Sequence, residues 1–402
     1  MTPDELVLNI MATPEGRRDP YPLYAQLQAE APIVRSELAP IWYLARYDDC
    51  HAALRDPRLG KGDPDRPLSL MPGRKPRQRL ALARNSMLLV NPPDHTRLRG
   101  LVAREFTPRR VEKLRDQVET MCDEILDGIA EAGGADIMEA LAFPLPVRVI
   151  GELLGVPEDE RDAHRPLTLA AARSIEPDVG DDDMQAAQAA SRQQTAYFTD
   201  LIERRTRDPG DDLLSALIAV RDGSDRLSQD ELVATSILLF AAGFETTTNL
   251  IGNGLNTLLR HPEQLAWLRQ NMHAMPATVD EILRYESPVQ IDLRVALEDA
   301  EVAGHAIPEG EAVITMLAAA NRDPARIDDP HTFDPRRGEI PLMSFATGIH
   351  YCLGAHLARM EGQAVFTRLL ERFDTIELLD DEPAWRDRLT LRGLEHLNVR
   401  VS

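Results

Sequence analysis

Residues 228–260 read SQDELVATSILLFAAGFETTTNLIGNGLNTLLR, and the reading of this stretch decides the fold. Ser228 followed three residues later by Glu231 is a capping box, the reciprocal pairing that starts a helix. No proline interrupts the run before Pro262. A helix from there to about Arg260 spans ~50 Å at 1.5 Å per residue. Its middle, Leu232 to Phe244, is apolar. In a soluble protein a helix of that length and character has to cross the core. The spacing predicts a mainly α chain with small β-sheets, built around one central helix that carries a site.

Working outward, apolar periodicity predicts further helices over Val111 to Ile129, Gln185 to Arg205, Gln264 to Arg269, Pro276 to Glu286 and Leu353 to Phe373. β-formers around turn residues predict a hairpin at Ile33 to Val34 and Ile41 to Tyr47. A second strand pair is expected over Val302 to Thr315, with Gly304, Pro308 and Gly310 in its turns. There is no internal repeat and no long linker. Residues 1–402 are therefore expected to form a single domain, β-rich near 31–47 and 289–316 and helical in the remainder.

Composition narrows the function. The chain is 43% hydrophobic and 28% charged, as a soluble protein with a large core should be. Its 66 acids against 45 Lys and Arg give a formal charge of -21, which repels nucleic acid and anionic lipid. The start, MTPDELVLNIMATPEGRRDPYPLY, has no basic segment followed by an apolar run and does not read as a secretory signal. The apolar stretch at 232–244 falls short of the ~20 residues a membrane span needs. Three widely spaced cysteines, Cys50, Cys122 and Cys352, argue against a disulfide framework and for the cytoplasm. At most one of them is expected to hold a cofactor.

Cys352 is that candidate. It lies in Phe345-Ala346-Thr347-Gly348-Ile349-His350-Tyr351-Cys352-Leu353-Gly354, just ahead of a predicted helix. A helix N-terminus favours the thiolate, the form that binds iron. Gly348 permits an unusual turn, and Gly354 a close approach by a flat group. A lone cysteine without such a setting is most often a small buried hydrophobe. Midway along the central helix, Ala242-Gly243-Phe244-Glu245-Thr246-Thr247 places an acid and a hydroxyl beside a glycine. That leaves room for a small ligand with a proton source beside it. Poor helix formers cluster there, so a local distortion is expected, with Thr247 and Thr248 structural. His95 and Arg99, four apart, fall on one helix face, as a solvated face also would. Glu281 and Arg284 make an i,i+3 pair of a common kind.

The cysteine segment resembles the haem-binding signature of the cytochrome P-450 family, Phe-x-x-Gly-x-x-x-Cys-x-Gly, with every fixed position present. The Ala-Gly-x-acid-Thr pattern on the central helix resembles that family too, as do the His-x-x-x-Arg and Glu-x-x-Arg elements. The likeness runs from Asp19-Pro20-Tyr21-Pro22 to the tail and is weakest over Asp63 to Arg84 and Thr168 to Ala190. It implies the cytochrome P-450 fold, with the long helix over a haem b whose iron is bound by the Cys352 thiolate. By resemblance Glu245 and Thr246 handle protons during oxygen activation. His95, Arg99, Arg294 and His350 would hold the propionates, with Phe345 and Gly348 also at the cofactor. Glu281, Arg284 and Arg337 would support the cysteine loop. Leu88, Leu89, Phe240, Ala241, Ala242, Val289 and Leu391 would line a substrate pocket, although core packing explains such residues equally well.

The resemblance implies a monooxygenase that inserts one atom of dioxygen into a mostly apolar small molecule, by hydroxylation or epoxidation. Natural-product tailoring is one setting for it. No flavin or iron–sulfur module is present, so electrons from NAD(P)H would arrive through a separate ferredoxin and reductase. From Arg97 to Arg115 seven basic residues face two acids, a patch that an acidic ferredoxin could dock, or a solvated helix face. A second basic run, Arg74 to Arg84, has no assigned role. Nothing demands more than a monomer. A peroxide-using or rearranging haem-thiolate enzyme is one alternative, and a non-catalytic haem sensor another.

Overall fold

The computed structural model describes residues 1–63, 80–177, 179–221 and 224–402. Residues 74–79 of the basic run therefore lie outside the described residues. The chain forms two compact units. Unit one comprises Met1–Gly60, Arg115–Leu145 and Thr246–Ser402, and unit two Lys61–Leu114 and Pro146–Glu245.

Unit one holds the sheets. Strands β1 (Ile33–Arg35) and β2 (Ile41–Leu44) form the expected hairpin, with Val34 opposite Tyr43. With β3 (Leu59–Gly60), β5 (Asp292–Ala296) and β8 (Ala312–Thr315) they make a sheet in the order β1-β2-β8-β5-β3. β8 runs parallel to β2 and antiparallel to β5. Both β2 and β8 are buried at every residue, which is why IWYL and AVIT read as unbroken apolar runs rather than alternating ones. Trp42, Leu44, Leu54 and Val313 form the core beneath. The strand pair expected over Val302 to Thr315 is shifted: β6 (Ala300–Val302) pairs with β7 (His305–Ile307), turned at Ala303 and Gly304, both at positive φ, while β8 joins the larger sheet instead. Beyond the two stretches expected to be β-rich, β4 (Gly134–Asp136), β9 (Ile376–Leu378) and β12 (Asn398–Val401) form another sheet, and β10 (Ala384–Trp385) pairs with β11 (Leu394–His396). The tail is thus not helical.

The helices that matter for the site are α1 (Asp94–Glu105), α2 (Arg115–Ala132), α3 (Pro144–Leu154), α4 (His164–Ala172), α5 (Asp181–Arg207), α6 (Gln229–Arg260), α7 (Pro262–Gln270), α8 (Met275–Tyr285) and α9 (Ala355–Arg372). α6 starts where the capping box predicts: the Glu231 N–H donates to Ser228 Oγ at 3.3 Å and the Ser228 N–H to Glu231 Oε2 at 2.8 Å. It ends at Pro262. The helix expected over Val111 to Ile129 is split into Pro108–Glu112 and α2, and the break coincides with the change of unit at Leu114. No proline or glycine marks that break, so only the packing of two different neighbourhoods produces it. The expected distortion at the threonines is also absent. α6 is continuous through them, because burial of Thr247 and Thr248 outweighs their weak helix preference. In unit one α9 packs on α2 and α8. No helix among the described residues is long and apolar enough to cross a membrane.

Candidate active site

In unit one, Cys352 closes a loop that begins at Phe345. Its backbone N–H donates to the Phe345 carbonyl at 3.0 Å. Inside the loop, Ala346 and Gly348 hold positive φ values of 55° and 73°. Only glycine fits at 348, since a Cβ there would stand 2.3 Å from the Leu54 carbonyl oxygen. Gly348→Ala is expected to lower the unfolding free energy by ~1–3 kcal/mol. A thermal melt indistinguishable from the parent would show that the loop adjusts without strain.

Gly354 precedes α9, and the Cβ it lacks would face the Cys352 sulfur at 4.0 Å. Cys352 is half-buried, as is His350. The other two cysteines are fully buried. Burial pushes both of their thiols up, Cys122 to about 12, so neither is set up as a thiolate.

Arg294 lies on β5 at 1% exposure. Its Nη1 sits 2.5 Å from Asp292 Oδ2 and donates to the Leu293 carbonyl, while Nη2 is buried without a protein acceptor. Asp292 and Arg294 are two apart on a strand and so share a face. A buried guanidinium nitrogen of this kind calls for an acidic oxygen from outside the chain. Val289 and Leu391 meet as an isolated antiparallel bridge.

The three residues expected to brace the loop are brought together. Arg284 donates to Glu281 through Nε at 2.7 Å and Nη2 at 2.8 Å. Arg337 Nε reaches the same carboxylate at 3.3 Å, and the Asp334 N–H at 2.8 Å. Arg284 and Glu281 are both fully buried. Arg284 also donates to the carbonyls of Asn321, Pro330 and Thr332. The pair therefore ties α8 to the strandless stretch that leads into the cysteine loop.

In unit two, α1 carries His95, buried, and Arg99, half-buried, one turn apart. Phe240 on α6 is fully buried between the rings of His164 on α4, at 5.5 Å, and Phe198 on α5, at 6.1 Å. It thus belongs to an aromatic core. Leu88 is 43% exposed and Leu89 half-buried. The space left by Gly243 is taken by Ile150 of α3, whose Cδ1 would stand 3.1 Å from an added Cβ. This glycine serves helix packing rather than leaving room for a ligand.

Along α6 itself, burial alternates with the turn. Phe240, Phe244, Glu245, Thr247 and Thr248 are buried, whereas Ala241 is half-buried, Ala242 exposed and Thr246, one turn on, half-exposed. The Glu245 carboxyl, next to Thr246 in the chain, is 2% exposed.

Sequence reasoning missed Arg359 on α9. Its guanidinium lies 4.5 Å over the Phe345 ring and its Nε donates to Asp280 at 2.6 Å. Its place seven residues after Cys352, just over one turn into the helix, is the available signal. Asp280, on another helix, offered none.

A family model described as "Cytochrome P450" matches residues 179–392. The chain is 42% identical to cytochrome P450 monooxygenase PikC of Streptomyces venezuelae, covering 95% of this chain and 91% of that one. It is also 42% identical to 6-deoxyerythronolide B hydroxylase of Saccharopolyspora erythraea, covering 95% and 96%. Among solved structures, the Bacillus subtilis bacillaene polyketide synthase cytochrome P450 PksS aligns with a TM-score of 0.89 and 37% identity, over 98% of this chain and 100% of that one. With this coverage the chain belongs to the cytochrome P450 family.

Proposed function

We propose that this P450 monooxygenase hydroxylates or epoxidises a mostly apolar organic small molecule in natural-product tailoring. The names of its relatives support that class, since one is a 6-deoxyerythronolide B hydroxylase and another belongs to a polyketide synthase system. The enzyme, as a member of its family, uses haem b with an axial cysteine thiolate. The residues present fit that group. Arg294 Nη2 is a buried donor without a protein acceptor, which a propionate would satisfy. Cys352 is the cysteine ahead of a helix and outside the fully buried core.

On this reading the Cys352 thiolate would hold the haem iron, and His95, Arg99, Arg294 and His350 would hold the propionates. When bound, haem supplies an iron at which dioxygen is activated, and the thiolate enriches its electron density. The chain's own part is proton handling. Thr246 Oγ1, on the accessible face of α6, donates a hydrogen bond to the reacting dioxygen. The Glu245 carboxyl, next in the chain, resupplies that proton from solvent. The observation that carries the reading is this acid–alcohol pair at the one accessible turn of the buried stretch 240–248. A peroxide-using, rearranging or merely sensing haem protein has no need of it.

Electrons would come from NAD(P)H through a ferredoxin-type donor and its reductase. Within the basic patch expected to dock that donor, Arg97 pairs with Glu231 and Asp225, Arg104 donates to the Arg221 carbonyl at 3.0 Å, and Arg110 lies 3.5 Å from Glu105. The donor would meet this patch with the protein acting as a monomer.

Thr246→Ala is the direct test. Product formed per NAD(P)H should fall by roughly 10²-fold, the scale of a lost proton-transfer group, while NAD(P)H consumption continues and peroxide appears. Full coupling in that variant would remove Thr246 from the chemistry.

A further inference from the structure

Past Thr246, α6 carries a second kind of residue that the proposed chemistry does not use. Asn249, Asn253, Asn256 and Arg260 follow Thr246 at intervals of three, four, three and four, and this spacing sets all five on one face of the helix. Asn249 and Asn253 are 0% exposed, and Asn256 and Thr257 are buried as well. A helix interior buried in a core has no reason to carry three carboxamides unless they have work to do.

Their bonding is incomplete in a specific way. Asn253 Nδ2 donates to the Arg392 carbonyl at 3.1 Å, but its Oδ1 has no protein donor. Asn249 has a partner for neither its Oδ1 nor its Nδ2. The wall opposite is the segment at Arg392 and Gly393. A Cβ at Gly393 would stand 2.0 Å from Asn249 Oδ1, so glycine is what lets this segment come so close. At the outer end the stripe is completed: Arg260 Nε donates to Asn256 Oδ1 at 2.9 Å, and its Nη1 reaches the Asp381 carbonyl at 2.8 Å near the surface. All of these residues belong to unit one.

Buried carboxamide atoms without protein partners are characteristically satisfied by internal water, which bridges two to four polar groups. We propose that a file of ordered water runs along this face of α6, held by Asn249 and Asn253, and forms a second polar route to Thr246 from the Arg260 end, independent of Glu245. The route covers about 21 Å, fourteen residues at the helical rise. Water in such a file passes protons by exchanging hydrogen bonds, with no net chemistry at the asparagines. The role at Thr246 rests on the proton-handling reading above, whereas the water file does not.

The test uses the haem-loaded enzyme with Asn249→Leu and Asn253→Leu, each beside its serine counterpart. Leucine keeps the branched shape of asparagine, though with greater bulk, and cannot hold water, whereas serine is smaller and can. If the file exists, an experimental structure shows ordered water within hydrogen-bond distance of Asn249 and Asn253. The leucine variants then melt below both the parent and the serine variants. Leucine variants that melt above the parent, with no ordered water at these amides, would mean the face is dry and overturn the proposal.

The route is read separately in a Glu245→Gln background, from peroxide released per NAD(P)H and its solvent deuterium isotope effect. Asn253→Leu should cut the residual proton-dependent rate severalfold, and Asn253→Ser should restore it. An unchanged residual rate with the water demonstrably displaced would refute the route and leave the file standing. Should Thr246→Ala leave coupling intact, it is the proton-handling reading that fails, and the melting and structural results still decide the file.

Discussion

Cys352→Ser leaves the polypeptide folded and abolishes oxygen insertion. The bond that closes the loop is made by the backbone N–H of residue 352 to the Phe345 carbonyl, which a serine preserves. The brace at Glu281 and the turn at Gly348 are untouched by the change. What is lost is the sulfur, and with it the electron push that a thiolate gives to O–O cleavage. The reduced carbonyl complex should lose its strongly red-shifted absorption and turnover should fall to background, while circular dichroism of the variant stays that of the parent. Retention of the red-shifted band would mean that another cysteine binds the iron. The structure leaves little room for that. Cys50 is fully buried and donates to the Leu44 carbonyl at 3.2 Å, and Cys122 is fully buried on α2.

Glu281→Ala should be the most destabilising single change in unit one. The carboxylate accepts from Arg284, Arg337 and the Asp334 N–H, all in a buried setting. Its removal leaves the Arg284 guanidinium, at 0% exposure, with carbonyl partners but no counter-charge. Breaking a buried pair from one side costs ~3–5 kcal/mol. That is a large part of the ~5–15 kcal/mol by which a folded protein is stable. Denaturant unfolding should show the loss, with low haem content in what is recovered. Glu281→Gln, which keeps one acceptor oxygen, should fall between. A cost below about 1 kcal/mol would reduce the pair to the value of an exposed one and remove its bracing role.

Much of this is legible in the sequence. The start and end of α6 were written in local chemistry, Ser228 with Glu231 at one end and Pro262 at the other. The first expected hairpin formed from turn residues and β-formers lying next to each other in the chain, and of the second the turn at Gly304 formed, between β6 and β7. Cys352 stood out because a glycine-punctuated loop before a helix is itself a local pattern. Glu281 and Arg284 were paired by their spacing on α8, and the pairing with Arg337 followed from the family likeness.

Other features needed partners distant in sequence. Nothing in AVIT says that β8 lies parallel to β2 rather than in its own hairpin. The tail strands were unreadable because short strands owe their form to neighbours, and β12 pairs with β4 across more than 250 residues. The rings of His164 and Phe198 around Phe240, and Ile150 beside Gly243, come from segments far away in the chain. By itself the sequence determined the elements with their own caps and turns, since each rests on contacts within a few residues. Only the tertiary structure decided which way each side chain faces, what surrounds it and which buried donor is left wanting a partner, as at Arg294. Burial and charge pairing act through space between segments whose separation along the chain carries no information about their distance.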